Sequence, residues 1–454
     1  MSGYWLVRRL AGFLLKLFYR RVEVVGIDRI PATGPFILAA NHHNSLVDPM
    51  VLLATMPRRL ITLAKAPLFR HPLIGPFLRA IGGVPVHRRY EAGEDPARNE
   101  AMFTAVNNAL KAGEAILIFP EGKTQPEPVL LPLRTGAARM LLQAEANAGR
   151  RLDVKLIPVG LIFHQPGTFR TGWALVLVGR PVPTDDWVVL YQTDPGKAVR
   201  QLTERLLEAL RQLIVEAEDR QTLDLVHVVE GIWQVESSET RADLAERAEW
   251  MQRVVRAYRY LTPREPERLE RFRLEVERYA KDLELAGLTG REPSPSYPAG
   301  VVTRYAFREG LSLLLGLPLA LWGIANHAIP YQLTAAIVRW LHRTPEEEAT
   351  DKIAAGVVLY PLCWIVEGWT AWWLGGGWGL GTFLVSLLPT GFFALTWQER
   401  LSRFRREVRG FLQFLMARDF RLRLLTRRRA LRDELTALAH LVPESVLAGP
   451  TKEE

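Results

Sequence analysis

Between residues 353 and 397 the chain carries two apolar runs, IAAGVVLYPLCWIVEGWTAWWL and WGLGTFLVSLLPTGFFALTW, joined only by GGG. Each has about the length a helix needs to cross a hydrocarbon core of roughly 30 Å. A shorter pair precedes them: GLSLLLGLPLALWGIA, which carries Pro318, and YQLTAAIVRWL, with NHAIP between the two. Eight of the 13 tryptophans fall between Trp322 and Trp397, mostly near the ends of these runs, where amphipathic rings settle at a membrane interface. Basic residues flank the pairs without interrupting them: Arg304 and Arg308 before the first, Arg339, Arg343 and Lys352 between the two, Arg400 onward after the second. The pattern predicts two membrane-spanning hairpins over 301–398, each beginning and ending on the cytoplasmic face, and therefore an integral membrane protein whose N-terminal part lies on that face. Glu367, inside the third run, is costly in lipid and must face another helix or a polar cavity.

Lysine and arginine outnumber aspartate and glutamate by 58 to 49, a formal charge of +9, which favours an anionic partner, either nucleic acid or a phospholipid surface. The tail, residues 399–454, alternates arginines with Phe and Leu in RLSRFRREVRGFLQFLMARDFRLRLL. Arginines neutralise phosphates and aromatics stack on bases, so nucleic acid would fit this pattern. Directly after the apolar runs, however, the tail is better placed against an anionic leaflet, where each basic side chain is worth about 1 kcal/mol. An anionic phospholipid membrane, and not nucleic acid, is the expected partner. Residues 1–21 put Trp5, Leu6, Leu10, Phe13, Leu14, Leu17 and Phe18 on one helical stripe with Arg8, Arg9, Lys16 and Arg20 around it, as in a helix lying in the membrane plane. A helix packed into a core shows the same periodicity, and that alternative stays open. Cys363 is the only cysteine, and no Cys/His cluster has zinc-ligand spacing, so neither a disulfide nor a metal is expected.

From residue 22 to about 185 the pattern changes. VEVVG, FILAA, LITLA, GVPVH, AILIF, KLIPVGLIF and ALVLVG are short runs rich in apolar and β-branched residues, with helix-period segments between several of them. The expected fold is an α/β domain over 22–198, a mixed sheet flanked by helices. Residues 199–300 are highly charged, helical in period and closed by the Pro-rich REPSPSYPAG, and form a helical middle region before the membrane hairpins.

Within the α/β part, ANHHNSLVDPM at residues 40–50 gathers two histidines and an aspartate at a strand-to-helix turn. The proline after Asp48 biases that residue away from helical geometry and suits the first turn of the helix that follows. At such a turn a histidine can be partly exposed while a carboxylate holds its Nδ1 proton and leaves Nε2 free as a general base.

Three further stretches, GGVPVHRR, FPEGKT and LIPVGL, follow in order. Together with ANHHNSLVDPM they resemble the four motifs of the glycerophosphate and lysophosphatidate acyltransferase superfamily. NHHNSLVDP, and a long helical region ahead of C-terminal apolar runs, look most like its fungal-type glycerol-3-phosphate and dihydroxyacetone-phosphate branch. The family's first motif, His, four residues, Asp, fits His43 and Asp48; the second makes Arg88 its match; the third is FPEG, with Glu121 and Gly122; the fourth is the strand around Pro158. The resemblance implies that His43 deprotonates an acceptor hydroxyl, that Asp48 orients the imidazole, and that the alkoxide attacks an acyl thioester, from acyl-CoA or acyl carrier protein, with no other cofactor. Arg88 would hold the phosphate of a phosphorylated glycerol-type acceptor, with Lys65 a second candidate. Glu121 would bind an acceptor hydroxyl or orient a basic residue, and Gly122 would let backbone N–H groups approach the ligand. Many members follow FPEG with Thr or Ser and then Arg, whereas Lys123 and Thr124 stand here. The expected acceptor is glycerol 3-phosphate, with dihydroxyacetone phosphate beside it; lysophosphatidate is the alternative, and a non-catalytic lipid-binding scaffold the reading from another class.

Overall fold

The computed structural model describes residues 2–70, 74–86, 96–125, 127, 129–164, 172–217, 220–234, 244–285, 299–341, 345–416 and 418–448. Helix α1 (Ser2–Phe18) leads into β1 (Arg21–Val25), β2 (Phe36–Ala40), α2 (Val47–Thr55), β3 (Leu60–Lys65), α3 (Ile74–Ala80) and β4 (Val84–Val86). Then come α4 (Pro96–Lys111), β5 (Ala115–Ile118), α5 (Gly136–Asn147), β6 (Lys155–His164), β7 (Trp173–Val178), α6 (Asp185–Tyr191) and α7 (Pro195–Arg211). Each of the seven apolar runs of the sequence is a strand. They form one sheet in the order β1-β7-β6-β2-β5-β3-β4, parallel at every pairing except β6 with β7. This is the mixed sheet flanked by helices that the sequence implied.

Strands β2 and β5 sit inside the sheet and are apolar at every position, as strands covered on both faces are. Ile37, Ala39, Ile116, Ile118 and Leu156 meet α4, α5 and α7 in one core. Helix α1 packs along α2, and its Tyr4 hydroxyl accepts the Leu60 N–H at 3.2 Å. The stripe expected to face lipid is therefore divided. Phe18 is buried with Tyr4, Ala11 and Leu15, while Trp5, Leu6, Leu10 and Phe13 are exposed beside Arg9 and Lys16.

The chain divides into two compact units, the first being Met1–Arg220 with Asp243–Gln252 and Arg343–Asp351. Its boundary falls later than residue 198 because α7 buries Ala198, Leu202, Leu206 and Leu210, one face at helical spacing, in the sheet core. It also includes α1, which the sequence suggested as a separate membrane element.

The second unit holds α8 (Arg220–Gln234) after its first residue, the second half of α9 (Leu244–Leu261), α10 (Pro266–Leu285), α11 (Ala299–Leu341), α12 (Pro345–Met416) from Lys352 on, α13 (Arg418–His440) and α14 (Glu444–Ala448). The first expected hairpin is not one. α11 is a single helix of 43 residues, about 65 Å at roughly 1.5 Å per residue, running through NHAIP with Pro318 and Pro330 inside it. Local polar contacts support the helix there: Asn326 Nδ2 donates to the Trp322 carbonyl, His327 Nδ1 to that of Gly323, and the Thr334 hydroxyl to that of Pro330. Such contacts, with neighbouring helices, let proline stand in long apolar helices.

At the second, the chain does turn back. α12 breaks at Gly375 and Gly376, the latter at φ 57°, and Gly368 returns to face Leu380 and Phe383. Thr303–Trp340 and Thr350–Arg405 are long and apolar enough to cross a membrane, by length and composition. Glu367 Oε2 is buried there with no hydrogen-bond partner among the described residues. The basic tail is not a free amphipathic segment either. α12 continues to Met416, and α13 packs on α10, where Arg268 grips Glu434 at 2.6 and 3.2 Å and Arg427 pairs with Asp282.

Strand β6 approaches the turn after α7 so closely that a Cβ on Gly160 would lie 2.3 Å from the Leu213 carbonyl oxygen. Gly160→Ala is therefore expected to cost about 1–3 kcal/mol of stability, read from denaturant midpoints. An unchanged midpoint would mean the turn moves aside freely and this contact does not fix α7 on the sheet.

Candidate active site

Strands β2 and β5 are adjacent and parallel, with Phe36 opposite Ala115, so the loops leaving their carboxyl ends emerge side by side. Crevices at those ends are where open α/β sheets receive ligands. The chain leaves β2 through Asn41, whose buried amide pairs twice with the Leu161 backbone, donating to its carbonyl at 3.0 Å and accepting its N–H at 2.7 Å. This side chain extends the β2–β6 ladder by one step and fixes the direction in which the next residue leaves.

That residue is His42. Its ring stacks on Phe119 from the β5 loop, centroids 4.2 Å apart at 20°, and its Nδ1 lies 2.8 Å from Asp48 Oδ2. The same carboxylate oxygen accepts the backbone N–H groups of His43 and Asn44, each at 2.8 Å. Asp48 is 0% exposed and belongs to the first turn of α2. It is helical, contrary to the bias expected from Pro49, because a proline in a first turn has no intrahelical N–H to lose.

The pairing expected between the His43 ring and Asp48 is thus made by His42. Successive residues leaving an extended strand point to opposite sides, so only one of the two rings can face the aspartate. His43 supplies its backbone, and its Nδ1 donates instead to the Gln125 carbonyl at 3.1 Å. With Nδ1 protonated in both rings, each presents a bare Nε2. Among the described residues, His42 is the one of the two whose ring nitrogen meets a carboxylate directly.

Glu121 is 2% exposed, and both of its oxygens are engaged by backbone donors. Its Oε1 accepts the His42 N–H at 2.8 Å and its Oε2 the Leu131 N–H at 3.1 Å, pinning the β2 loop to the β5 loop. Burial holds its carboxyl above the usual range, against the opposing pull that His43 and His42 exert when protonated and that of the two N–H donors. Gly122 has φ 73°, a conformation glycine adopts without strain, but its N–H closes the turn onto the Phe119 carbonyl at 3.0 Å and is not turned to a ligand.

Lys65 ends β3, whose Thr62 pairs with Leu117, so it stands at the same end of the sheet as the Phe119–Gly122 turn. Arg88 lies outside the described residues. Pro158 is buried within the sheet opposite Ala39, its carbonyl accepting the Gly179 N–H at 2.8 Å; it supports the strand and does not join the loop cluster. One residue the motifs did not flag is Arg134. It is exposed and makes no ion pair among the described residues, its N–H donates to the Pro120 carbonyl at 2.7 Å, and its Cγ would stand 3.3 Å from a Cβ on Gly122. Its side chain thus starts beside the FPEG turn, a placement that spacing along the chain did not reveal.

Residues 21–162 match the model of the Acyltransferase family. An uncharacterized acyltransferase of Schizosaccharomyces pombe is 24% identical over 48% of this chain and 45% of its own length. Glycerol-3-phosphate O-acyltransferase 2 of Saccharomyces cerevisiae is 29% identical over 30% of this chain and 18% of its own. Human 1-acyl-sn-glycerol-3-phosphate acyltransferase alpha is 25% identical over 37% and 57%. The chain thus spans less than two thirds of each of these relatives. Among solved structures, the 1-acyl-sn-glycerophosphate acyltransferase PlsC of Thermotoga maritima matches 44% of this chain and 79% of its own at 20% identity, with a TM-score of 0.32.

Glu121→Gln replaces one N–H acceptor with an NH₂ group and should destabilise the protein by about 1–3 kcal/mol. The raised carboxyl sets the pH dependence. A group whose pKa is higher in the fold contributes its full stability below its unfolded pKa of about 4.3 and loses it as pH rises through the folded value. The wild-type advantage over the variant should be largest near the ordinary carboxylate range and shrink toward neutrality in paired denaturation curves. An advantage that grows with pH would show that the N–H donors outweigh burial.

Proposed function

We propose that this chain, whose residues 21–162 are an acyltransferase domain, moves a fatty acyl group from an acyl thioester to the hydroxyl of glycerol 3-phosphate at a membrane surface. The observation that carries the reading is the His42 Nδ1 contact with buried Asp48 at 2.8 Å, which leaves Nε2 as an oriented base beside the β5 turn. Nε2 takes the acceptor's hydroxyl proton, and Asp48 stabilises the imidazolium that forms. The alkoxide attacks the thioester carbonyl, the tetrahedral intermediate collapses, the C–S bond breaks, and the thiolate leaves with the proton returned from His42. No enzyme nucleophile is required. Lys65, Lys123 and Arg134, with Arg88 from the second motif, are the cations available to the acceptor's phosphate; an arginine is suited to bidentate phosphate contacts. The donor is acyl-CoA or acyl carrier protein, which share the thioester.

The choice of acceptor rests on NHHNSLVDP and on the yeast glycerol-3-phosphate relatives. Relatives named for 1-acylglycerol 3-phosphate support lysophosphatidate as the second reading. Purified protein in detergent, given labelled acyl thioester with each acceptor separately, tests this. Lysophosphatidate formed from glycerol 3-phosphate is expected; phosphatidate formed from lysophosphatidate alone would transfer the assignment to the second acceptor. In the same assay His42→Ala should lower the rate by about 10² to 10⁴, with His43→Ala retaining much of it. An exchange of those two phenotypes would return the base to His43.

The membrane placement is integral, with the catalytic unit on the cytoplasmic face. The basic flanks of the apolar runs support this reading, in which the first arm of α12 carries the Gly375–Gly376 break to the opposite face. With Cys363 replaced by Ala, a Gly377→Cys variant in sealed vesicles should react with an impermeant thiol reagent only from the face opposite the catalytic unit. Labelling from the catalytic face would rule out a spanning hairpin.

A further inference from the structure

The loop between β2 and α2 accounts for its backbone donors almost entirely with buried side chains. His42 N–H goes to Glu121, and the N–H groups of His43 and Asn44 go to Asp48. Val47 N–H closes locally on the Asn44 carbonyl at 2.8 Å. The N–H of Leu46, the residue that caps α2, is taken by the hydroxyl of Thr350 at 3.1 Å. Thr350 is 304 positions away in sequence, only 8% exposed, and lies in the short segment ahead of the apolar hairpin that belongs to the catalytic unit.

Between the Asp48-bound and the Thr350-bound amides stands Ser45, at φ 42°. A side-chain-bearing residue in the left-handed region is strained and persists only where its surroundings hold it. Here the hold on the N-terminal side is Asp48 and the hold on the C-terminal side is Thr350. If the second were lost, the turn could relax toward ordinary geometry, and the first turn of α2, which carries the Asp48 carboxylate behind His42, would shift with it.

We infer that Thr350 is a positioning residue for acyl transfer: its hydroxyl fixes the strained turn at Ser45 and thereby the alignment of Asp48 with His42. The inference rests on the proposed acyltransferase reading of the site. It touches neither substrate nor the reacting atoms, so its signature is in alignment. A displacement of about 1 Å at a reacting group can cost about 100-fold in rate, whereas substrate binding by the other loops is left intact.

The test compares Thr350→Val, which keeps the shape and removes the hydroxyl, with Thr350→Ser, which keeps the hydroxyl, in the full chain with acyl thioester and glycerol 3-phosphate. Thr350→Val should lower kcat by about 10- to 100-fold with both KM values within about twofold of wild type. Amide hydrogen exchange should rise in peptides covering 41–49 and not in the sheet, and Thr350→Ser should restore both rate and exchange. Thr350→Ala gives the same comparison should the valine variant fail to fold. A wild-type kcat without the hydroxyl overturns the inference, as does a rate that falls only in step with exchange raised throughout the chain. Absence of acyl transfer by the wild-type protein would overturn the reading of the site instead, and the exchange measurement alone would then decide whether Thr350 holds the loop.

Discussion

The candidate site depends on one carboxylate oxygen. Asp48 is fully buried, where an isolated charge would be prohibitive, and its Oδ2 receives three donors: the His42 ring and the amides of His43 and Asn44. Charge-assisted bonds of this kind are about twice as strong as neutral ones, and three converging on one atom leave the loop little freedom. The Oδ1 atom is buried with no hydrogen-bond partner among the described residues, so the contacts of this carboxylate converge on the loop and the imidazole. Its field extends behind the site as well. Burial, with the Asp48 charge adding to it, pushes the Tyr19 phenol far above its ordinary value and keeps that hydroxyl protonated.

The sheet was legible because strands buried on both faces announce themselves as continuous apolar runs, and β2, β5 and β6 are of that kind. The site was legible as a set of loops but not as a set of atoms. Motif spacing counts residues, and the His–four–Asp count selected His43, whereas what brings a ring to a carboxylate is direction. The alternation of side chains leaving β2, fixed by the double amide contact of Asn41, gives that direction to His42. The backbone contacts of Glu121 were not legible for a related reason: its two partners, His42 and Leu131, lie in different loops and have no signature in FPEG itself. Arg134 and Thr350 carry no motif and reach the site only through the folded chain.

The apolar C-terminal half shows the opposite failure, where a strong local signal was outvoted. NHAIP contains the residues that usually mark a turn, yet α11 continues through it because Asn326, His327 and Thr334 bond back along the helix. GGG, by contrast, turns the chain, since Gly376 takes a φ of 57° and leaves the helix. The difference lies in the company these residues keep. In α11 the flanking turns pack against the second arm of α12, with Gly323 against Thr390 and Trp397 Nε1 donating to the Leu313 carbonyl at 2.9 Å.

A candidate base mounted on a loop depends on how that loop is held. A side chain on a strand or helix interior is rigid but flanked by its neighbours, whereas a loop at the carboxyl end of a sheet is open to ligands and needs outside support to be equally exact. Here the support comes from three buried side chains on three separate parts of the chain: Glu121 after β5, Asp48 in α2 and Thr350 ahead of the hairpin. Electrostatic preorganisation requires the charged partner to be in place before the imidazolium forms, and a carboxylate already engaged by two amides cannot swing to follow the ring. The loop therefore has the openness of a loop with the rigidity of the elements it is tied to, and the strain at Ser45 is the cost of tying it.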